Sequence, residues 1–92
     1  NDNPNGRGVA TWFSGKALKY DGAWVHGMMD GDNTTYVLRN GDVFKGTFKA
    51  DKYNNGRYTI KATGDYFEGL FRNGSPYKGT WYDKNDNKIE TI

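Results

Sequence analysis

Large apolar side chains recur at alternate positions within short segments of this chain, and polar clusters rich in Gly, Asn and Asp separate the segments. Period-two runs of aromatic and β-branched residues predict strands. Here they fall at Val9 to Phe13, Ala17 to Val25, Thr34 to Arg39, Val43 to Lys49, Arg57 to Ala62, Tyr66 to Arg72 and Tyr77 to Asp83. Turn signals stand between them at Ser14-Gly15, Asn40-Gly41, Thr63-Gly64 and Asn73-Gly74, and Asn-Gly favours a two-residue hairpin because both central residues take positive φ. No Gly-free stretch of about ten residues carries apolar side chains at helical spacing. The expectation is an all-β chain of consecutive antiparallel hairpins.

On a strand, Phe44, Gly46 and Phe48 share one face, while Val43, Lys45, Thr47 and Lys49 share the other. The same ring-Gly-ring arrangement occurs at Phe67, Gly69 and Phe71, at Tyr77, Gly79 and Trp81, and at Tyr20, Gly22 and Trp24. A Gly between two large rings leaves a hole into which a ring of the adjacent hairpin is expected to lie flat against bare backbone.

These motifs recur at fixed intervals. Gly41-Asp42-Val43-Phe44-Lys45-Gly46-Thr47-Phe48 and Gly64-Asp65-Tyr66-Phe67-Glu68-Gly69-Leu70-Phe71 align without a gap, Gly41 on Gly64 and Phe48 on Phe71. Tyr20-Asp21-Gly22-Ala23-Trp24 carries the latter part of the motif at nearly the same interval before the Phe44 copy, and Gly74 to Trp81 carries it again after a step of only 10. Asn5-Gly6-Arg7 and Asn55-Gly56-Arg57 lead into strands in the same way. The pattern resembles the MORN (membrane occupation and recognition nexus) family, whose signature is roughly YxGxWxxGxxxGxG with a period of about 23 residues. The likeness covers about residues 6 to 83. It implies an elongated, open, solenoid-like meander of β-hairpins in which those eight rings and four glycines form the repeat core. It also brings in anionic lipid as a ligand proposed for such repeats.

Composition narrows the picture. Leu, Ile, Val and Phe number only 15 of 92 residues, while Phe, Trp and Tyr also number 15, so any core must be aromatic. A chain of this length holds one small domain: a flexible lead at 1–7, hairpins over about 8–83, and a terminal turn with an edge strand at 84–92. The absence of Cys excludes disulfides, thiolate metal sites and a Cys nucleophile. No run reaches the ~18 apolar residues of a membrane span. The chain begins without Met, which is expected of a trimmed or processed piece. Richness in Asn, Asp, Lys and Tyr is compatible with a secreted, bacterial-surface or virion protein, without fixing the compartment.

Candidate chemistry is sparse. His26, the only histidine, sits beside Gly27 with no Cys, Ser-rich elbow or second His and reads as an ordinary loop residue, and with Glu68 and Glu90 the only glutamates a paired-carboxylate hydrolase would have to use Asp. Asp42 and Asp65 follow Gly at equivalent positions and read as turn residues. The run from Asp83 to Lys88 starts like a cation-binding loop but lacks its Gly, and Asp30-Gly31-Asp32-Asn33 reads as a solvated turn. No catalytic residue, metal ligand or cofactor is expected, and no enzyme activity. Asn33-Thr34-Thr35 is a glycosylation sequon, whereas the one at Asn73 is weakened by Pro76.

A net charge of +2, with cations scattered among Asp residues, disfavours nucleic acid and gives only weak grounds for membrane lipid. The expected role is protein–protein interaction or scaffolding. The alternative is self-association through sheet edges as a subunit of a filament or coat, because Val9 to Phe13 is uncharged and Ile89 to Ile92 forms a short apolar-rich tail. Carbohydrate or lipid binding through exposed rings is the weaker alternative.

Overall fold

The structure is a computed structural model and describes residues 6–92. Nine strands follow in order: β1 (Gly6–Thr11), β2 (Ala17–Val25), β3 (Met28–Met29), β4 (Gly31–Leu38), β5 (Val43–Lys49), β6 (Lys52–Thr59), β7 (Tyr66–Arg72), β8 (Ser75–Tyr82) and β9 (Lys88–Thr91). They form one antiparallel open sheet in the order β1-β2-β4-β5-β6-β7-β8-β9, with the short β3 paired only to β2. The lead expected at 1–7 lies outside the described residues for 1–5. Its other two residues, Gly6 and Arg7, already belong to β1.

Three hairpin tips carry two successive positive φ angles: His26-Gly27, Ala50-Asp51 and Asn73-Gly74. That is the signature of a turn whose twist matches the flanking strands. Only the last was marked by its sequence. Because Ala50-Asp51 reverses the chain at once, β6 starts at Lys52 rather than near Arg57.

Two hairpins repeat each other pair for pair. In β5–β6, Phe44 pairs Tyr58, Gly46 pairs Gly56 and Phe48 pairs Tyr53; in β7–β8, Phe67 pairs Trp81, Gly69 pairs Gly79 and Phe71 pairs Pro76. Each has one extra residue on its return strand, Asn54 in the first and Tyr77 in the second. The segment from Gly74 to Trp81 is thus a return strand and not a further opening strand. Its apparently short step arises because the bulge lets a return strand imitate the motif. Tyr77 is the extra residue itself. It is 44% exposed, with the Arg72 guanidinium 4.0 Å from its ring centre, so the expectation that it belongs to the repeat core is corrected.

Cross-strand register aligns the repeats into continuous rows. One row runs Ala10, Tyr20, Tyr36, Phe44, Tyr58, Phe67, Trp81, Glu90 from β1 to β9. Beside it runs Gly8, Gly22, Thr34, Gly46, Gly56, Gly69, Gly79, closed by Ile92, which exchanges two backbone hydrogen bonds with Gly79. Gly8, not Gly6, therefore corresponds to Gly56.

The glycine row has two physical causes. Gly46 and Gly56 face each other with φ of 157° and 145°, and a Cβ on either would strike the other strand's backbone. Above the row, the rings flanking Gly22, Gly46 and Gly69 on their own strands meet edge to face. The centroid separations are 5.1 Å for Tyr20–Trp24, 5.4 Å for Phe44–Phe48 and 5.2 Å for Phe67–Phe71. Over Gly22, Gly46 and Gly69 the rings of the glycine's own strand close the gap, where a ring from the adjacent hairpin was expected, whereas a Cβ on Gly79 would meet the Phe67 ring of β7 and one on Gly8 the Trp24 indole of β2. Thr34 takes a glycine's place in the row; it is buried, and its hydroxyl donates to the Gly46 carbonyl at 2.7 Å.

Among the described residues all six buried apolar side chains are rings: Tyr66 on the polar face and a core cluster of Tyr20, Phe44, Phe48, Phe67 and Phe71. The cluster lies on one face of a body measuring 46 × 24 × 19 Å. The other face carries mostly polar and β-branched side chains. On it Arg57 bonds Glu68 and lies 4.2 Å from the Tyr66 ring centre, and Tyr66 stacks on Tyr82.

Candidate functional site

Both faces carry recesses: a more open one of about 530 Å³ lies between Lys45, Arg57, Glu68 and Leu70 on the polar face, and the ring face carries two that are walled by aromatic side chains. Of the expected repeat-core residues, Tyr20, Phe44, Phe48, Phe67 and Phe71 are buried, while Trp24 and Trp81 pack against them from partly exposed positions. Gly22, Gly46, Gly69 and Gly79 lie in the glycine row described above. The buried rings are structural.

A second set of rings stands above them and was not singled out in the sequence: Tyr36, Tyr53 and Tyr58, all half-buried against the core. They come from return strands, where Tyr36, Tyr58 and Trp81 follow one another in a single row, spaced along the chain as the opening strands are. Applying the repeat interval to the second strand of each hairpin would have found Tyr36 and Tyr58, but not Tyr53, whose counterpart one period later is Pro76.

These rings border two adjoining recesses. One, of about 260 Å³, is walled by Tyr36, Phe48, Tyr53, Asp51, Lys52 and Asn73. The other, of about 320 Å³, is walled by Tyr53, Tyr58, Trp81, Leu38, Pro76 and Lys16, with Tyr53 shared between them. Tyr53 stacks on Phe44 at 4.4 Å and meets Tyr36, Phe48, Tyr58 and Phe71 edge-on, so five rings hold the shared wall.

The hydroxyls are held protonated. Burial raises the pKa of Tyr36, and the charge of Asp51 adds to it. Burial likewise raises Tyr53, with Tyr58, Tyr36 and Asp42 contributing, and it raises Tyr58, which also donates to the Asp42 carboxylate at 2.8 Å. At neutral pH the recesses offer apolar, uncharged ring faces to an incoming group, with the Tyr58 proton already committed to Asp42.

The remaining candidates are engaged locally. Asp83 accepts from the backbone N–H groups of Asn85 and Asn87 at 2.8 and 2.9 Å, which makes its segment a self-bonded hairpin turn. Asp30 accepts from the Ala50 N–H at 3.1 Å, and Asp32 accepts from the Thr47 hydroxyl at 3.0 Å. Asp42 also receives the Lys61 N–H, whereas the Asp65 backbone N–H bonds the Thr63 hydroxyl. His26 occupies a hairpin tip, and Asn33 is exposed with positive φ. Among the described residues no group of three or more His, Cys, Asp or Glu gathers to hold a metal ion.

No protein-family model matches the chain, and a search of curated proteins finds no match.

Proposed function

We propose that this chain is a MORN-like repeat module, non-catalytic, whose ring face receives a segment of a protein partner. The observation that carries this reading is the pair of adjoining recesses sharing Tyr53. Tyr and Trp give large contact area at low conformational cost, and binding hot spots are enriched in them. The MORN-like part rests on the pair-for-pair correspondence of β5–β6 with β7–β8.

A displayed peptide library selected against the chain tests the reading, with chemical-shift mapping of the winning peptides. Selected peptides should perturb Tyr36, Tyr53, Tyr58 and Trp81 together. Peptides that map to the opposite face around Lys45 and Arg57, or enrichment of none, would remove the recesses as the binding surface. Binding of oligosaccharides in their place would replace a protein partner by a carbohydrate.

A different observation favours a second reading, in which the chain is one subunit of a larger assembly. Phe13, Val9 and Ile89 are the most exposed large apolar residues among those described, at 98%, 61% and 55%, and they lie on or beside the two edge strands.

A further inference from the structure

The sheet path contains eight strands, an even number, so β9 runs antiparallel to β1. A second copy placed beyond β9 by continuing the sheet would therefore present its β1 in the antiparallel sense that every existing neighbour has.

The hydrogen-bond phase agrees. Ile92 and Gly79 exchange both of their backbone bonds, so Ile92 and Glu90 turn their polar groups inward and Thr91 turns its own to the free edge. At the other end, the Trp12 N–H donates to the Leu18 carbonyl at 3.0 Å. Ala10 and Gly8, two and four residues earlier, then face β2, while Val9 and Thr11 face outward. Extending the rows across the junction sets Ile92 opposite Gly8, Thr91 opposite Val9 and Glu90 opposite Ala10. In that register both outward-facing residues, Thr91 and Val9, oppose each other, as bonding requires.

Four of the nine exposed large apolar residues among those described, the three most exposed included, lie at the same places. Val9 and Phe13 flank the free edge of β1, and Ile89 and Ile92 belong to the other end, where Ile92 is 44% exposed. Strand β1 carries one charged side chain, Arg7, and β9 carries Lys88 and Glu90, so the β1 edge, with exposed apolar side chains and little charge, is the template and β9 the strand added to it.

We propose that β9 of one copy adds to the free edge of β1 of the next, with Thr91 opposite Val9, so that copies extend a single sheet head to tail. The contact uses two different surfaces, so it does not close on itself as a two-fold dimer does and it propagates as a filament.

The absence of Cys makes cross-linking a clean test. Ala10 and Glu90 would form a non-bonded pair across the junction with Cα atoms ~4.5 Å apart, within the range that a disulfide spans. Within one copy six strands separate them, on the order of 30 Å at the usual strand spacing, so no internal bridge can form. The chain carrying both Ala10→Cys and Glu90→Cys should give a covalent ladder on mild oxidation. The Val9→Cys, Glu90→Cys control, whose thiols would emerge on opposite faces, should not. Light scattering of the unaltered chain should report a mass that rises between ~10 μM and ~1 mM. A constant 10.4 kDa monomer over that range would overturn the proposal. Equal ladders from both double variants would overturn the register, and disulfide dimers from Ala10→Cys alone would replace head-to-tail addition by β1–β1 pairing.

Discussion

A β-carbon on Gly46 would press into the Asn55 carbonyl and the Gly56 Cα, and one on Gly69 would meet Lys78 and Gly79 in the same way, whereas Gly15 has nothing within 4 Å. Gly46→Val and Gly69→Val should each cost on the order of 3 kcal/mol, combining a backbone clash with a φ that Val does not adopt. Gly15→Val, with φ of 91° but open space, should cost about 1 kcal/mol. Urea denaturation of the three variants checks the order, and equal midpoints would count against the backbone-contact explanation. Asp42 gives a second prediction. Partial burial raises its pKa, but the Lys61 N–H, the Tyr58 hydroxyl and Asn40 together hold it below the ordinary 3.8. A lowered carboxylate pKa stabilises the folded state above the unfolded value and ceases to do so as pH falls through the folded one. Tyr58→Phe should thus cost about 1 to 2 kcal/mol at neutral pH, with the gap to the parent chain narrowing below about pH 4, as denaturation at a series of pH values would reveal. The sequence disclosed Gly46 and Gly69, because each sits between two rings on one strand. Gly8, Gly56 and the role of Thr34 depend on which residues lie opposite across strands, and no single segment contains that information.

At the scale of the element, strands β2, β5 and β7 were legible to the residue, because alternation of rings with polar side chains marks both faces and turn residues mark the ends. The return strands were not. Their bulges shift the alternation by one position, which hides the start of β6 and makes Tyr77 read as the partner of Phe71, a place that the exposed Pro76 takes. The tip at Ala50-Asp51 escaped notice for another reason: its residue types do not advertise positive φ, yet both adopt it, at 48° and 68°. Ala in that conformation carries strain from its Cβ, which Asn offsets by local hydrogen bonding. Ala50→Asn should accordingly stabilise the chain by about 0.5 to 1 kcal/mol, read as a higher melting temperature. The same change at Ala10, inside a strand, should give no gain. Asp51 is unsuited to replacement, since its carboxylate accepts the Met29 N–H at 2.7 Å and ties this tip to β3.

For the molecule as a whole, the question is whether stability accumulates repeat by repeat. The ring and glycine pairs of β5–β6 have cross-strand counterparts in β7–β8, with Pro76 standing where Tyr53 does, and the two hairpins meet through the Gly56–Gly69 and Tyr58–Phe67 pairs. In a stacked array each unit contacts only its neighbours, so one whole period can be removed without breaking the remaining rows. Deleting positions 50–72 removes one period and joins Lys49 to Asn73. Strand β5 should then pair directly with β8, bringing Phe44 opposite Trp81, Gly46 opposite Gly79 and Phe48 opposite Pro76. The shortened chain should fold cooperatively at a lower melting temperature, having lost one hairpin and one interface. Deleting positions 50–69 instead removes nearly as much chain but joins Lys49 to Leu70, out of phase with both rows. A one-position error in register sends side chains to the wrong face, so this variant should be unfolded although it retains more of the chain. Near-ultraviolet circular dichroism distinguishes the two, since packed rings give a signal that loose rings do not. A 50–72 deletion no better ordered than the 50–69 deletion would remove the repeat as the organising unit of this sheet, and the MORN-like reading with it.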